Sequence, residues 1–408
     1  MPKTNNIPEV RFAGFTDAWE QRKLDTITDV RDGTHDSPQY VETGHPFITS
    51  KNVKDGFINY EDIQYVSDKD YEEINKRSKV DKNDILMGMI GTIGNIALVR
   101  ETPDFAIKNV ALIKDIGDVY YRYLYHCLQS NSAAHQLDEN LDGGTQKFIA
   151  LNKIRELVIP VPSEHEQHKI GDYMESLDNL ITLHQRKYER LKNVKKSMLE
   201  KMFPKNGSNI PEIRFAGFTD AWEQRKLGEL ADIVGGGTPS TGVSDYWDGN
   251  IDWYAPAEIA EQIYLTSSQR KITEEGYNHS SAKMLPVGTV LFTSRAGIGK
   301  TAILARKGCT NQGFQSIVPH KGELDSYFIF SRTEELKQYG ETVGAGSTFV
   351  EVSGKQMANM ELMMPKTMAE QKTIGQYFAN LDRLITLHQH KLEKLQNIKK
   401  SMLEKMFV

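Results

Sequence analysis

At 408 residues, with 39% hydrophobic and 26% charged residues and a formal net charge of −5, the chain has the length for two to three domains and an ordinary globular composition. No apolar run reaches the length of a membrane span and no basic-then-apolar leader opens the chain, so neither a membrane protein nor a secreted one is expected. The two cysteines, Cys127 and Cys309, are too few for a disulfide framework or a zinc site and are expected as reduced, buried thiols of a cytoplasmic protein.

An internal repeat orders the chain. Residues 165–204 return as 369–408, with 26 of 40 aligned positions identical. The box IPEVRFAGFTDAWEQRKL at 7–24 returns as IPEIRFAGFTDAWEQRKL at 210–227. Each half is therefore a box, a variable body and a long helix. The expected boundaries are 1–162 for the first box and body, 163–204 for the first helix and 205–209 for a linker. The second box and body follow at 210–365, and the second helix at 366–408. Residues 1–6 are polar and expected to be loose. The aromatics Phe12, Phe15 and Trp19 of the box favour a structural clasp over a binding site.

Within 25–160, short β-like runs alternate with turn signals. Ile85–Ile90 and Ile96–Val99 flank a glycine-rich stretch and predict a hairpin; Val110–Ile113 predicts a strand. Tyr121, Leu124, Tyr125 and Leu128 have helical spacing. A polar loop, 141–150, precedes Pro160 and Pro162. Ser163 and Glu166 then form a capping-box pattern that starts the first long helix. Its apolar stripe runs Ile170, Leu177, His184, Leu191, Met198, joined by Met174, Ile181, Tyr188 and Met202 and widened by Leu180 and Val194. Five heptads without Gly or Pro after 171 predict a coiled coil of roughly 57 Å. The second body repeats the plan. GGGTPS (235–240) corresponds to DGTHDS (32–37), 289–304 to 84–99, and 345–353 to 143–151. Thr367 and Glu370 open the second helix with another capping-box pattern. Its stripe is Ile374, Leu381, His388, Leu395 and Met402, with Phe378, Ile385, Leu392 and Met406. The two stripes are each other's obvious partners, most simply antiparallel. The fold class is α+β: two similar mixed α/β bodies separated by two long helices, related by a pseudo-two-fold repeat.

Catalytic motifs are not expected. Gly297-Ile-Gly-Lys300-Thr301 resembles the end of a phosphate-binding loop, but Ser294 stands where the first glycine belongs. His184 and His388 read as polar core residues that fix register rather than as metal ligands. No spaced Cys/His set or HExxH occurs, so no catalytic residue and no metal are expected. The bodies are mildly acidic and the helices mildly basic, which argues against a nucleic-acid binder relying on its own bulk charge. The loops nevertheless hold side chains suited to base edges or phosphates. In the first body these are Lys51, Asn52, Lys108, Asn109, Gln146 and Lys147. In the second they are Ser294, Arg295, Lys300, Asn311, Gln312, Gln315 and Thr348. For each residue alone, a solvated loop side chain is the competing reading.

The duplicated box, the GTPS segment, the AGIGK and NQGFQSI stretches (296–300, 311–317), and the P…EQ..I helix start followed by LDxLITLHQxK resemble the specificity (S) subunit of type I restriction–modification systems. The first body departs from the pattern at Asp32–Ser37 and at Lys108-Asn109-Val110. The resemblance implies a non-catalytic DNA-recognition subunit. Each body is then a target recognition domain for one half of a bipartite double-stranded DNA target, and an antiparallel coiled coil sets the spacer. The implied partners are two methyltransferase (M) subunits and motor–nuclease (R) subunits, which bind S-adenosylmethionine, ATP and Mg themselves, so this chain binds no cofactor. Two rival readings stay open on the residues alone. One is a protein-binding scaffold. The other is an ATP-dependent enzyme resting on Lys300.

Overall fold

A computed structural model describes residues 6–54, 56–143, 147–205, 207–260, 262–295, 297–345 and 351–408. The polar residues before Asn6 lie outside that set. The chain divides into two compact units, Met1–Gln185 with His390–Val408, and Arg186–Gln389. These boundaries cut both long helices, whereas the sequence reading gave each helix a segment of its own. Each unit holds one body, the first half of that body's helix and the last turns of the other copy's helix.

In the first unit, Asp29–Asp32, Val110–Lys114, Ile85–Gly88 and Ile96–Leu98 form an antiparallel sheet in that order. Side chains alternate between its faces. Ile85, Met87, Ala111 and Ile113 enter one apolar cluster, and Leu86, Val110 and Leu112 another. Both faces are covered, so these strands read as unbroken apolar runs. A second sheet joins Gln64–Val66, His45–Thr49 and Ala106–Lys108, the last two parallel. The expected hairpin, strand and helix all form, the last as Tyr121–Cys127.

The second unit builds the same plan with a fifth strand. Ala231–Gly235, Gln315–Pro319, Val290–Phe292, Thr301–Leu304 and Tyr264–Leu265 form its main sheet. Arg270–Ile272, Trp247–Tyr254 and Cys309–Thr310 form the smaller one. Again Val290 and Phe292 face one cluster and Leu291 the other.

The long helices run Glu164–Lys201 and Met368–Lys405, 38 residues each. In the first unit Ile170, Met174 and Leu177 pack in one cluster with Leu395, Ile398, Met402 and Met406. In the second, Ile374, Phe378 and Leu381 pack with Leu191, Val194, Met198 and Met202. There Lys195 Nζ meets Asp382 Oδ1 at 2.5 Å, while Phe203 stacks on Phe378 with centroids 6.1 Å apart. Numbers rise on one segment as they fall on the other, so the segments are antiparallel. In the first unit Asp178 and Lys399, 2.6 Å apart, make the same pair with the copies exchanged. Leu180, expected to widen the stripe, is 43% exposed. His184 and His388 are half-buried.

The box is a clasp on the helices. Its last residues, Glu20–Lys23, pair with Val158–Val161, the strand before the helix. Arg11 grips the Glu166 carboxylate through Nε and Nη2 at 2.6 and 2.8 Å, and the buried Trp19 donates Nε1 to it at 3.2 Å. The second copy repeats this with Arg214, Trp222 and Glu370 at 2.7, 2.8 and 3.1 Å. This corrects the capping-box reading. Thr367 Oγ1 does accept from the Glu370 amide at 3.3 Å. The glutamates, however, turn away from the helix start to the box, where two charge-assisted bonds outweigh one bond to a backbone N–H. Val10 N also donates to Lys405 O at 2.9 Å, just as Ile213 N donates to Lys201 O at 2.9 Å. Each box thus holds the start of one long helix and the end of the other.

Candidate nucleic-acid interface

Three loops meet at one end of each main sheet. The first is the glycine loop. Thr34 N donates to Ile107 O at 3.1 Å in the first body, and Gly237 N to Thr310 O at 2.8 Å in the second. The loop lies so close that a Cβ on Gly33 would sit 2.4 Å from Ile107 O, and one on Gly236 1.9 Å from Asn311 O. Only glycine fits there. The second is the hairpin tip, closed by Gly88 N to Asn95 O at 2.8 Å and by Thr293 N to Lys300 O at 3.0 Å. The third is the segment before the helix leading to the box strand. Ile149 N bonds Met89 O at 3.0 Å, and Val352 N bonds Ser294 O at 3.0 Å.

Across the glycine loop, equivalent positions carry different chemistry. In the first body His35 Nδ1 lies 2.7 Å from Asn109 Oδ1, and Nε2 lies 2.9 Å from Asp32 Oδ2. Two acceptors facing the two ring nitrogens favour the protonated ring, which can donate to both. The hydrogen bond to Asn109, and then that to Asp32, pushes the His35 pKa up. Arg77 also bonds Asp32. Asn109 sits at φ 51°, a left-handed position that Asn tolerates. In the second body Thr238 Oγ1 donates to Gln312 Oε1 at the corresponding place. The alignment of the loops paired these positions in sequence, yet His35, Asp32, Arg77 and Thr238 were missed as site residues. Nothing along the chain says that the two loops touch.

The other expected residues separate into groups. Lys108 reaches Ser37 Oγ at 2.5 Å beside Asn109. Lys51 and Lys147 are exposed, as are Arg295, which pairs with Glu351 at 2.9 Å, and Lys300. Asn311 is half-buried and caps the Gly313 amide at 2.8 Å; Gln315 is half-buried in its strand. Asn52 is not placed to read anything. It is 2% exposed, accepts from Thr49 N at 3.0 Å and donates to Asn59 O at 3.0 Å. Ser294 is fully buried, its backbone tying Gly313 to Val352. Gln146 and Thr348 lie outside the described residues. The Gly297–Thr301 stretch is the tip of a β-hairpin leading into Thr301–Leu304, not the start of a helix, so it lacks the strand–loop–helix geometry of a phosphate-binding loop.

Residues 16–193 and 219–397 both match the type I restriction modification DNA specificity domain. The chain belongs to that family. A type I restriction enzyme specificity subunit of Methanocaldococcus jannaschii, MjaIX, is 34% identical over 192 residues, 46% of this chain and 44% of the relative. A second from that organism, MjaX, is 25% identical over 418 residues, 98% of this chain and 95% of the relative. The crystal structure of the type I restriction–modification S subunit from M. genitalium has the same fold. Its TM-score is 0.65 at 14% identity, covering 98% of this chain and 99% of that one. The specificity subunit thus has two DNA specificity domains and is not the catalytic component of its system. Among the described residues no helix is long and apolar enough to cross a membrane.

Proposed function

We propose that each body reads one half of a split double-stranded DNA target through its three converging loops, and that the long helices set the spacer. The observation carrying this is the pair of equivalent hydrogen bonds, His35–Asn109 and Thr238–Gln312. One scaffold presents two different donor–acceptor sets at one place, which is what two half-sites require. Asn109, Lys108, Gln312 and Asn311 stand nearest the base-reading role. Gln315 sits deeper in the same strand end. Lys51, Lys147, Arg295 and Lys300 are suited to phosphates, which position without specifying. Two methyltransferase subunits and motor–nuclease subunits complete the complex. They bring S-adenosylmethionine, ATP and Mg, and supply backbone-binding charge that these acidic bodies lack. The assembly works in the cytoplasm.

The test is exchange at the paired site. His35→Thr with Asn109→Gln is expressed with the methyltransferase partners, and methylated adenines are mapped by single-molecule sequencing. The first half-site is expected to change or relax while the second stays. A wrong base pair in such a site costs about 1–3 kcal/mol. Change in both half-sites, or in neither, defeats the assignment.

A further inference from the structure

One cluster in the first unit has no counterpart in the second. His126, on the helix Tyr121–Cys127, is fully buried, and neither ring nitrogen has a hydrogen-bond partner. Its Nε2 lies 4.0 Å from Glu175 Oε2, and its Nδ1 lies 4.0 Å from Asp178 Oδ2. Glu175 Oε2 is itself buried without a hydrogen bond. An imidazole held this way, with carboxylates facing it just beyond hydrogen-bond reach, leaves polar atoms unsatisfied at a cost that folded proteins seldom accept. The second unit shows how the same place is satisfied. There Asp382, the counterpart of Asp178, takes Tyr327 Oη at 2.8 Å and Lys195 at 2.5 Å, and Ala379 stands where Glu175 stands in the first copy.

We propose that His126, Glu175 and Asp178 form a binding site for a divalent transition metal of the zinc class, fastening the first body to its long helix. One ligand atom from each lies within 4.8 Å of the others. Bonds of about 2.0–2.2 Å to nitrogen and oxygen hold ligand atoms up to about 4 Å apart around one ion. The cluster therefore stands within about 1 Å of the separations an ion requires, and closes on one by side-chain movement. Imidazole among the ligands favours zinc and its neighbours over magnesium or calcium.

Two cations face the cluster. Lys399 Nζ lies 2.6 Å from Asp178 Oδ1 and Arg100 Nη2 lies 3.6 Å from Glu175 Oε2, so the carboxylates are charge-balanced without a metal. A dication must displace one of them. Lys399 has somewhere to go. It lines an adjoining cavity of about 440 Å³ together with Gln129 and the exposed Asp138, and already donates to Gln129 Oε1 at 3.0 Å. Metal and ammonium are thus competitors for Asp178.

That competition gives a discriminating experiment on the full chain. Zinc is titrated into metal-free protein, with equilibrium dialysis, cobalt(II) absorption and thermal unfolding as readouts. The native chain is expected to take one zinc that raises its Tm. His126→Ala loses that zinc, and the isosteric Glu175→Gln shows the same loss should His126→Ala not fold. Lys399→Met, which strands Asp178, is expected to be less stable without metal, to bind zinc at least about tenfold more tightly, and to regain stability on binding. A structural histidine, or zinc held by surface histidines, predicts no such tightening. The proposal is overturned if the native chain takes up no zinc, if the ligand variants keep it, or if Lys399→Met binds it no better.

Discussion

Glu166→Ala removes the acceptor at the centre of the first clasp. The Glu166 side chain is 1% exposed and that of Arg11 10%, so water does not fully replace the lost bonds. Three donors are stranded: Arg11 Nε, Arg11 Nη2 and Trp19 Nε1. Breaking a buried pair by deleting one partner costs about 3–5 kcal/mol. The slight exposure of Arg11 places this case at about 3 kcal/mol, a Tm drop of roughly 6–12 °C for a unit of this size. Urea and thermal unfolding followed by tryptophan fluorescence measure it. The twin substitution Glu370→Ala should lose a similar amount, since Arg214 and Glu370 are 12% and 2% exposed and bonded alike. The double change Arg11→Met with Glu166→Leu should recover most of the loss and leave only the indole N–H unmet, because an apolar pair replaces a buried ionic one at little net cost. A loss below about 1 kcal/mol in Glu166→Ala would refute the reasoning, since that is the range of an exposed ion pair.

Burial pushes the thiols of Cys127 and Cys309 up to about 12. Neither is expected to react with a disulfide reagent in the native chain, and both should react in urea. His35 gains its partners as the imidazolium, so its folded pKa lies above the unfolded value of 6.5. Its contribution is complete below that value and is lost as pH rises through the raised folded pKa. An NMR titration should show the raised pKa, and Asn109→Ala should bring it down. Inserting seven residues at matching points of both long helices adds about 10 Å, or about three base pairs, to the gap between half-sites. An unchanged gap in the methylation map would remove the ruler role while leaving the two readers.

The duplicated architecture was legible because it is written in repeats and periodicities. The long helices were plain from heptads without Gly or Pro, and their observed ends, Glu164–Lys201 and Met368–Lys405, fall inside the expected segments. The hairpins and central strands were plain because both sheet faces are buried and leave unbroken apolar runs. The clasp was half legible. Its aromatics announced packing, but Glu166 fits a capping box equally well, and only the approach of Arg11, 155 positions away, decides which donor it serves. The candidate interface loops were legible as types of residue and not as a surface. Asn52 has the chemistry of a base reader and spends it on its own turn, whereas His35 and Thr238 emerge only when two loops meet.

The two copies supply their own control for telling scaffold from reader. Arg11–Glu166–Trp19 and Arg214–Glu370–Trp222 are the same residues making the same bonds. The backbone bonds that bring the three loops together also recur in both bodies, Ile149 to Met89 and Val352 to Ser294 among them. Those contacts are set by the fold and cannot distinguish one target from another. Where the backbone is equivalent and the side chains differ, at His35 against Thr238 and Asn109 against Gln312, packing imposes no single answer, since two solutions fit one frame. Sequence choice in the DNA has to be encoded at positions free in that sense. A residue such as Asn52, whose every polar atom is committed to the frame, is therefore a poorer candidate than its chemistry suggests, and a less conspicuous one such as Thr238 is a better one.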